Sequence, residues 1–167
     1  MAGIDLQGVT FTPVSPRLVS ARRVGELLSG LVALAVLSVP LVLKLTGVWS
    51  GLWDWVAWGL PVLSLLYSVV LFALIPRRVR AMGWAEREDD LLWRRGLLFR
   101  SVTAVPYGRL QYVDVEDGPL QRRYGLQTLT LKTAGGDDVE MPGLPRETAD
   151  HLREAFMARG QARLAGL

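Results

Sequence analysis

The hydrophobic pattern of the chain changes partway along. Up to Ile75 the apolar residues form long uncharged runs, and beyond Pro76 they form short pieces broken by charge, glycine and proline. From Leu27 to Leu43 there is no charged residue; Lys44 follows, and Leu45 to Trp49 continue the apolar character. A helix rising about 1.5 Å per residue through this stretch reaches the ~30 Å of a hydrocarbon core, with Lys44 extending its ammonium to the interface. Pro40 lies late in the run, where a membrane helix tolerates a kink. Trp55 to Ile75 is a second uncharged run, ended by Pro76 and Arg77. A secretory signal peptide is the weaker reading of the first run, because no small-residue cleavage site follows and a second run comes almost at once. The pattern predicts a transmembrane helical hairpin over residues 25–76, with spans at about 27–48 and 55–75.

Beyond the hairpin the period shortens to that of strands. Trp84 to Glu88 predicts a first strand, and Leu91 to Arg95 with Leu97 to Val105 predicts a hairpin turning at Gly96. Pro106 ends that strand. In Leu110 to Glu116, Gln111, Val113 and Val115 share one face while Leu110, Tyr112, Asp114 and Glu116 share the other. Asp117-Gly118-Pro119 signals a turn, and Leu120 to Tyr124 a short helical or irregular connection. Leu126 to Thr133 resumes alternation, a loop with Gly135-Gly136 follows, and Val139 to Met141 forms the returning strand, broken by Pro142-Gly143-Leu144-Pro145. A final helix opens at Pro145 and Glu147, with Ala149, Leu152, Ala155 and Phe156 on one apolar face. Many short strands and one amphipathic helix predict two antiparallel sheets forming a partly open barrel, plugged by the helix.

Charge adds orientation. Residues after Pro76 carry 15 of the 19 Lys and Arg and 13 of the 16 Asp and Glu, a balance of +2. Arg17, Arg22 and Arg23 precede the first span and Arg77, Arg78 and Arg80 follow the second, while the connection holds only Lys44 and Asp54. By the positive-inside rule both termini are cytoplasmic, and Trp49, Trp53, Trp55 and Trp58 form an aromatic belt at the outer interface. The arginines thus serve topology, with a dedicated lipid-headgroup site as the alternative. Neither span has an ionisable residue near its centre, which disfavours an ion or proton pathway. Ser29, Gly30 and Ala33 offer a helix-packing surface.

Several pieces, SPRLVSARR, RAMGWAERED, LLWRRGLLFR and MPGL, and above all PYGRLQYVDVEDGPLQRRYGLQTLTLKTAGG, resemble the bacterial PH-like (pleckstrin-homology-like) membrane protein family of the second type. The similarity covers about Ser15 to Gly160. The resemblance implies two roughly orthogonal antiparallel sheets with a C-terminal capping helix, tethered by two transmembrane helices. It divides the chain into a cytoplasmic N-terminal segment (1–24), the hairpin (25–76), a cytoplasmic PH-like domain (77–160) and a tail (161–167). It implies no catalytic machinery and no cofactor, and a place in the bacterial cytoplasmic membrane. Some members, acting with a larger paralogue carrying several copies of the domain, are connected with resistance to membrane-acting peptides.

Candidate chemistry is sparse. Arg109, Arg122 and Arg123 with Tyr124 suggest a lipid-phosphate or partner contact; the competing reading makes them sheet-edge and turn residues paired with Asp114, Glu116 and Asp117. Tyr107, Tyr112 and Tyr124 interleaved with arginine resemble a single-strand platform, but a near-neutral domain held at a membrane is not a nucleic-acid binder. With no cysteine in the chain, disulfides, cysteine-ligated metals and thiol catalysis are excluded. Glu86 to Asp90 and Asp137 to Glu140 do not match a calcium loop, and the single histidine, His151, has no positioned partner. The expected function is non-enzymatic protein–protein assembly at the membrane, in envelope maintenance or peptide resistance. Its partners are lipids and other membrane proteins: a larger paralogue, a second copy or a membrane complex. An anionic-lipid sensor and an accessory subunit of a larger enzyme or transporter are the alternatives.

Overall fold

A computed structural model of the chain describes residues 9–133 and 138–165, with side chains through residue 159. The expected Gly135-Gly136 loop lies outside the described residues. Contacts divide the chain into two compact units. One joins the chain up to Ala21 with everything from Pro76 onward, and the other is Arg22–Ile75.

The second unit holds most of two long helices, α1 (Arg17–Leu45) and α2 (Asp54–Arg80). Both are long and apolar enough to cross a membrane. Leu31, Val32, Leu63 and Leu66 are among many large apolar side chains exposed along them, as for helices whose solvent is lipid. The helices approach closely where residues are small: a Cβ on Gly30 would lie 2.9 Å from Ser68 Oγ. Lys44 donates to the Asp54 carboxylate and to the Leu52 carbonyl, neutralising the charges of the connection.

The first unit is built from two antiparallel sheets. The first sheet has the order β1-β2-β3-β4, from β1 (Thr12–Pro13), β2 (Gly83–Glu86), β3 (Asp90–Arg95) and β4 (Ser101–Pro106). The pair of long helices is therefore an insertion between two paired strands, with Thr12 opposite Trp84. Leu91, Leu92 and Trp93 are consecutive and all buried, so β3 is covered on both faces. The second sheet has the order β5-β6-β7, from β5 (Leu110–Glu116), β6 (Leu126–Thr133) and β7 (Val139–Pro145). No ladder joins the two sheets among the described residues, so the barrel is not closed. A 3-10 turn (Tyr107–Arg109) precedes β5, and α3 (Pro119–Arg123) links β5 to β6. The last helix, α4 (Arg146–Ala165), buries Ala149, Leu152 and Phe156 and packs on the 3-10 turn and the second sheet.

The structure departs from the sequence expectation at specific places. The β3–β4 loop runs from Gly96 to Arg100, so Leu97 to Arg100 are not strand. Pro142-Gly143-Leu144-Pro145 continues β7 rather than breaking it. A register shift sets Thr128 opposite Pro142 and Gln127 opposite Leu144, leaving Gly143 as the extra residue of a bulge at φ +80°. Proline is tolerated there because β7 is an edge strand. Strand β1 and the early start of α1 at Arg17 have no counterpart in the sequence expectation.

Candidate functional site: the outward face of the second sheet

Alternation in β5 and β6 sorts the residues of this sheet. Val113 and Val115 pair with Leu131 and Leu129, and Met141 lies opposite Leu129, forming the inward layer under α4. The outward layer then lines up in rows. Tyr112 lies opposite Lys132, Asp114 opposite Thr130 and then Glu140, and Glu116 opposite Thr128. A groove runs between this face and α3, with Glu116, Leu120, Gln121, Thr128, Thr130 and Glu140 along it. Gln121 Nε2 donates to Thr128 Oγ1 at 2.9 Å, fixing α3 against the sheet.

The charges of this face are unequal. Lys132 is held by Asp138, Nζ to Oδ2 at 3.0 Å, and sits 5.3 Å from the Tyr112 ring centroid. Tyr112 first and Asp138 second keep its ammonium above the ordinary lysine value. Asp114, Glu116 and Glu140 make no ion pair among the described residues. The face is thus acidic, and its carboxylates remain available to a partner.

The α3 corner is internally neutralised. Pro119 opens the helix and Gly125, at φ +65°, closes it in the left-handed conformation that favours glycine. Arg122 Nη2 donates to Asp117 Oδ1 at 2.8 Å, and that bond lowers the Asp117 carboxyl and raises the Arg122 guanidinium from their ordinary values. Arg123 is exposed and Tyr124 half-buried, beside Arg122 in the chain. Arg109 ends the 3-10 turn at the other end of β5. At about 3.3 Å per residue, the length of that strand separates Arg109 from the α3 arginines by roughly 20 Å. The structure brings Arg122, Arg123 and Tyr124 together and leaves Arg109 apart. Of the acidic partners considered for them, Asp117 alone engages Arg122.

Two features escaped the sequence reading. Glu140 joins Asp114 across Thr130, a relationship that only the pairing register of β5, β6 and β7 supplies. Tyr107, considered only as an exposed stacking residue, is buried: its ring lies 5.2 Å from Phe156. Arg159 Nη1 donates to its hydroxyl at 2.8 Å. Burial pushes the Tyr107 phenol above its ordinary value, and the Arg159 charge partly opposes this. His151 Nδ1 lies 3.7 Å from Glu86 Oε1. Among the described residues no group of three or more His, Cys, Asp or Glu is placed to hold a metal.

The residues expected at a membrane interface, on the two long helices and their connection, take up ordinary positions for their types. Arg23 lies over the Phe72 ring at 5.1 Å, and Arg22 is half-buried. Arg77, Arg78 and Arg80 occupy the last turn of α2, exposed and favourable to its dipole. Trp49, Trp53, Trp55 and Trp58 are exposed at the α1–α2 connection, with Trp53 and Trp55 ring centroids 5.7 Å apart.

Two antiparallel sheets capped by a C-terminal helix, on a chain with two membrane-length helices, define a membrane protein with a PH-like domain. The profile of the family described as bacterial PH domain matches residues 19–159, and the chain belongs to that family. It is similar to the UPF0699 transmembrane protein YdbS of Bacillus subtilis (strain 168), 29% identical over 144 residues, or 86% of this chain and 88% of that protein. No solved structure matches it.

Proposed function

We propose that the chain is a non-catalytic, membrane-anchored PH-like module that assembles with other membrane proteins at the cytoplasmic face of the bacterial membrane, in envelope maintenance or peptide resistance. The observation that carries this reading is the acidic outward face of the second sheet. Asp114, Thr130 and Glu140 form one row across it, beside a groove edged by Glu116 and Gln121. Unpaired carboxylates around a concave surface suit a basic protein segment and repel anionic lipid headgroups. A headgroup pocket built from Arg109, Arg122 and Arg123 has less support, because Arg109 is remote and Asp117 already engages Arg122.

The test uses the full chain, tagged and extracted from its native membrane in mild detergent. A partner protein is expected to co-purify, and the double reversal Asp114→Lys/Glu140→Lys is expected to release it without lowering the level of the chain itself. Recovery of a lone monomer from both forms contradicts the reading.

A further inference from the structure

The most exposed large apolar side chains of the described residues are Leu98 at 87% and Phe99 at 91%. They are neighbours at the tip of the β3–β4 hairpin, where Arg95 pairs with Ser101 and Gly96 to Arg100 form the loop. The loop is tightly built. Gly96 adopts φ +103°, and a Cβ there would lie 1.9 Å from the Phe99 carbonyl oxygen. Only glycine allows this closure, so the backbone itself holds Leu98 and Phe99 outward. An isolated exposed leucine needs no explanation, but an adjacent Leu-Phe pair on a closed turn does.

The surroundings identify what covers it. Between Asp90 and Asp114 the chain has no acidic residue, and Arg94, Arg95 and Arg100 bracket the tip. Arg95 and Arg100 are exposed and make no ion pair among the described residues. Apolar side chains projecting between exposed guanidinium groups complement a bilayer surface with anionic headgroups: the rings and chains enter the acyl boundary and the arginines meet phosphates. The chain carries two helices of membrane-spanning length, and only Ala81 and Met82 separate α2 from β2. The first sheet therefore has the bilayer at high local concentration.

We infer that the β3–β4 tip, Leu98 and Phe99 with Arg95 and Arg100, is a second membrane contact that inserts into an anionic leaflet. It is a different surface from the acidic face of the second sheet, and it stands or falls separately from the assembly reading.

Because the chain has no cysteine, a Leu98→Cys variant carries one environment-sensitive fluorophore, and Glu140→Cys supplies a control on the acidic face. The full chain is reconstituted in vesicles of phosphatidylcholine alone or mixed with phosphatidylglycerol. At position 98 the expected result is a blue-shifted label, quenched by spin-labelled lipid and shielded from iodide, more strongly with phosphatidylglycerol. The label at 140 is expected to stay open to iodide. Phe99→Asp is expected to lower the inserted fraction by about tenfold, and Arg95→Gln/Arg100→Gln to lose most of the phosphatidylglycerol dependence, at roughly fivefold per arginine. A label at 98 quenched by iodide and not by lipid, in both vesicle types, overturns the inference. Shielding from iodide without lipid quenching also overturns it, since that is the signature of a protein contact.

Discussion

Leu18, in the first turn of α1, packs onto Gly143 in β7: a Cβ on the glycine would lie 2.5 Å from Leu18 Cδ2. Ser15 N donates to the Gly143 carbonyl at 3.0 Å, using an acceptor that the bulge has turned away from the ladder. Residues up to the first turn of α1 therefore complete the domain that follows α2. Gly143→Ala combines a left-handed backbone with overpacking, and is expected to destabilise the domain by about 2–4 kcal/mol. Leu18→Ala leaves a cavity under the same bulge and is expected to cost about 2–5 kcal/mol. Denaturant unfolding of the full chain in detergent, read through limited proteolysis of the domain, checks both.

Tyr107 ties the start of the second sheet to α4 through its ring and its hydroxyl. Tyr107→Phe keeps the ring contact with Phe156 and loses the Arg159 hydrogen bond, with an expected cost of about 1 kcal/mol at neutral pH. The phenol is raised in the folded state, so its contribution is full below the unfolded value and is lost as pH rises through the folded one. The wild type should lose stability above about pH 10. The phenylalanine variant should show a flatter alkaline limb, measured as unfolding midpoint against pH.

At the α3 corner the Arg122 guanidinium is exposed and its pair with Asp117 lies at the surface, so Arg122→Gln is expected to leave the neutral-pH unfolding midpoint nearly unchanged. The folded Asp117 carboxyl is lowered, so its small contribution is present above the unfolded value and fades as pH falls through the lower one, below about pH 4. Arg122→Gln should return the Asp117 titration towards its ordinary value, observable in carboxyl carbon chemical shifts. It should also leave binding to anionic vesicles unchanged, since the guanidinium is already engaged.

Much of the fold is legible along the chain because its signals are local. Alternation at Leu110–Glu116 and Leu126–Thr133, and the spacing of Ala149, Leu152 and Phe156, directly reflect burial on one side of an element. Strand β1 is not legible: Thr12-Pro13 is too short to alternate, and its partner Trp84 lies beyond both long helices. The apolar run Leu97-Leu98-Phe99 reads as strand because hydrophobicity usually marks burial, and here it does not. Pro142-Gly143 reads as a break because a bulge is a pairing property, invisible until β6 supplies the register. The candidate site behaved likewise. The arginine-rich corner stands out in sequence, whereas the acidic row of Asp114 and Glu140 exists only once Thr130 lies between them.

The assembly reading is tested most directly by placing a photo-crosslinking amino acid at Thr130, in the full chain in its native membrane. The outward face of β6 is expected to yield a discrete protein adduct, which Glu140→Lys removes, while the same amino acid at Arg153 on the exposed side of α4 yields none. No protein adduct at Thr130, or an equal one at Arg153, contradicts the assignment of the acidic face as the assembly surface.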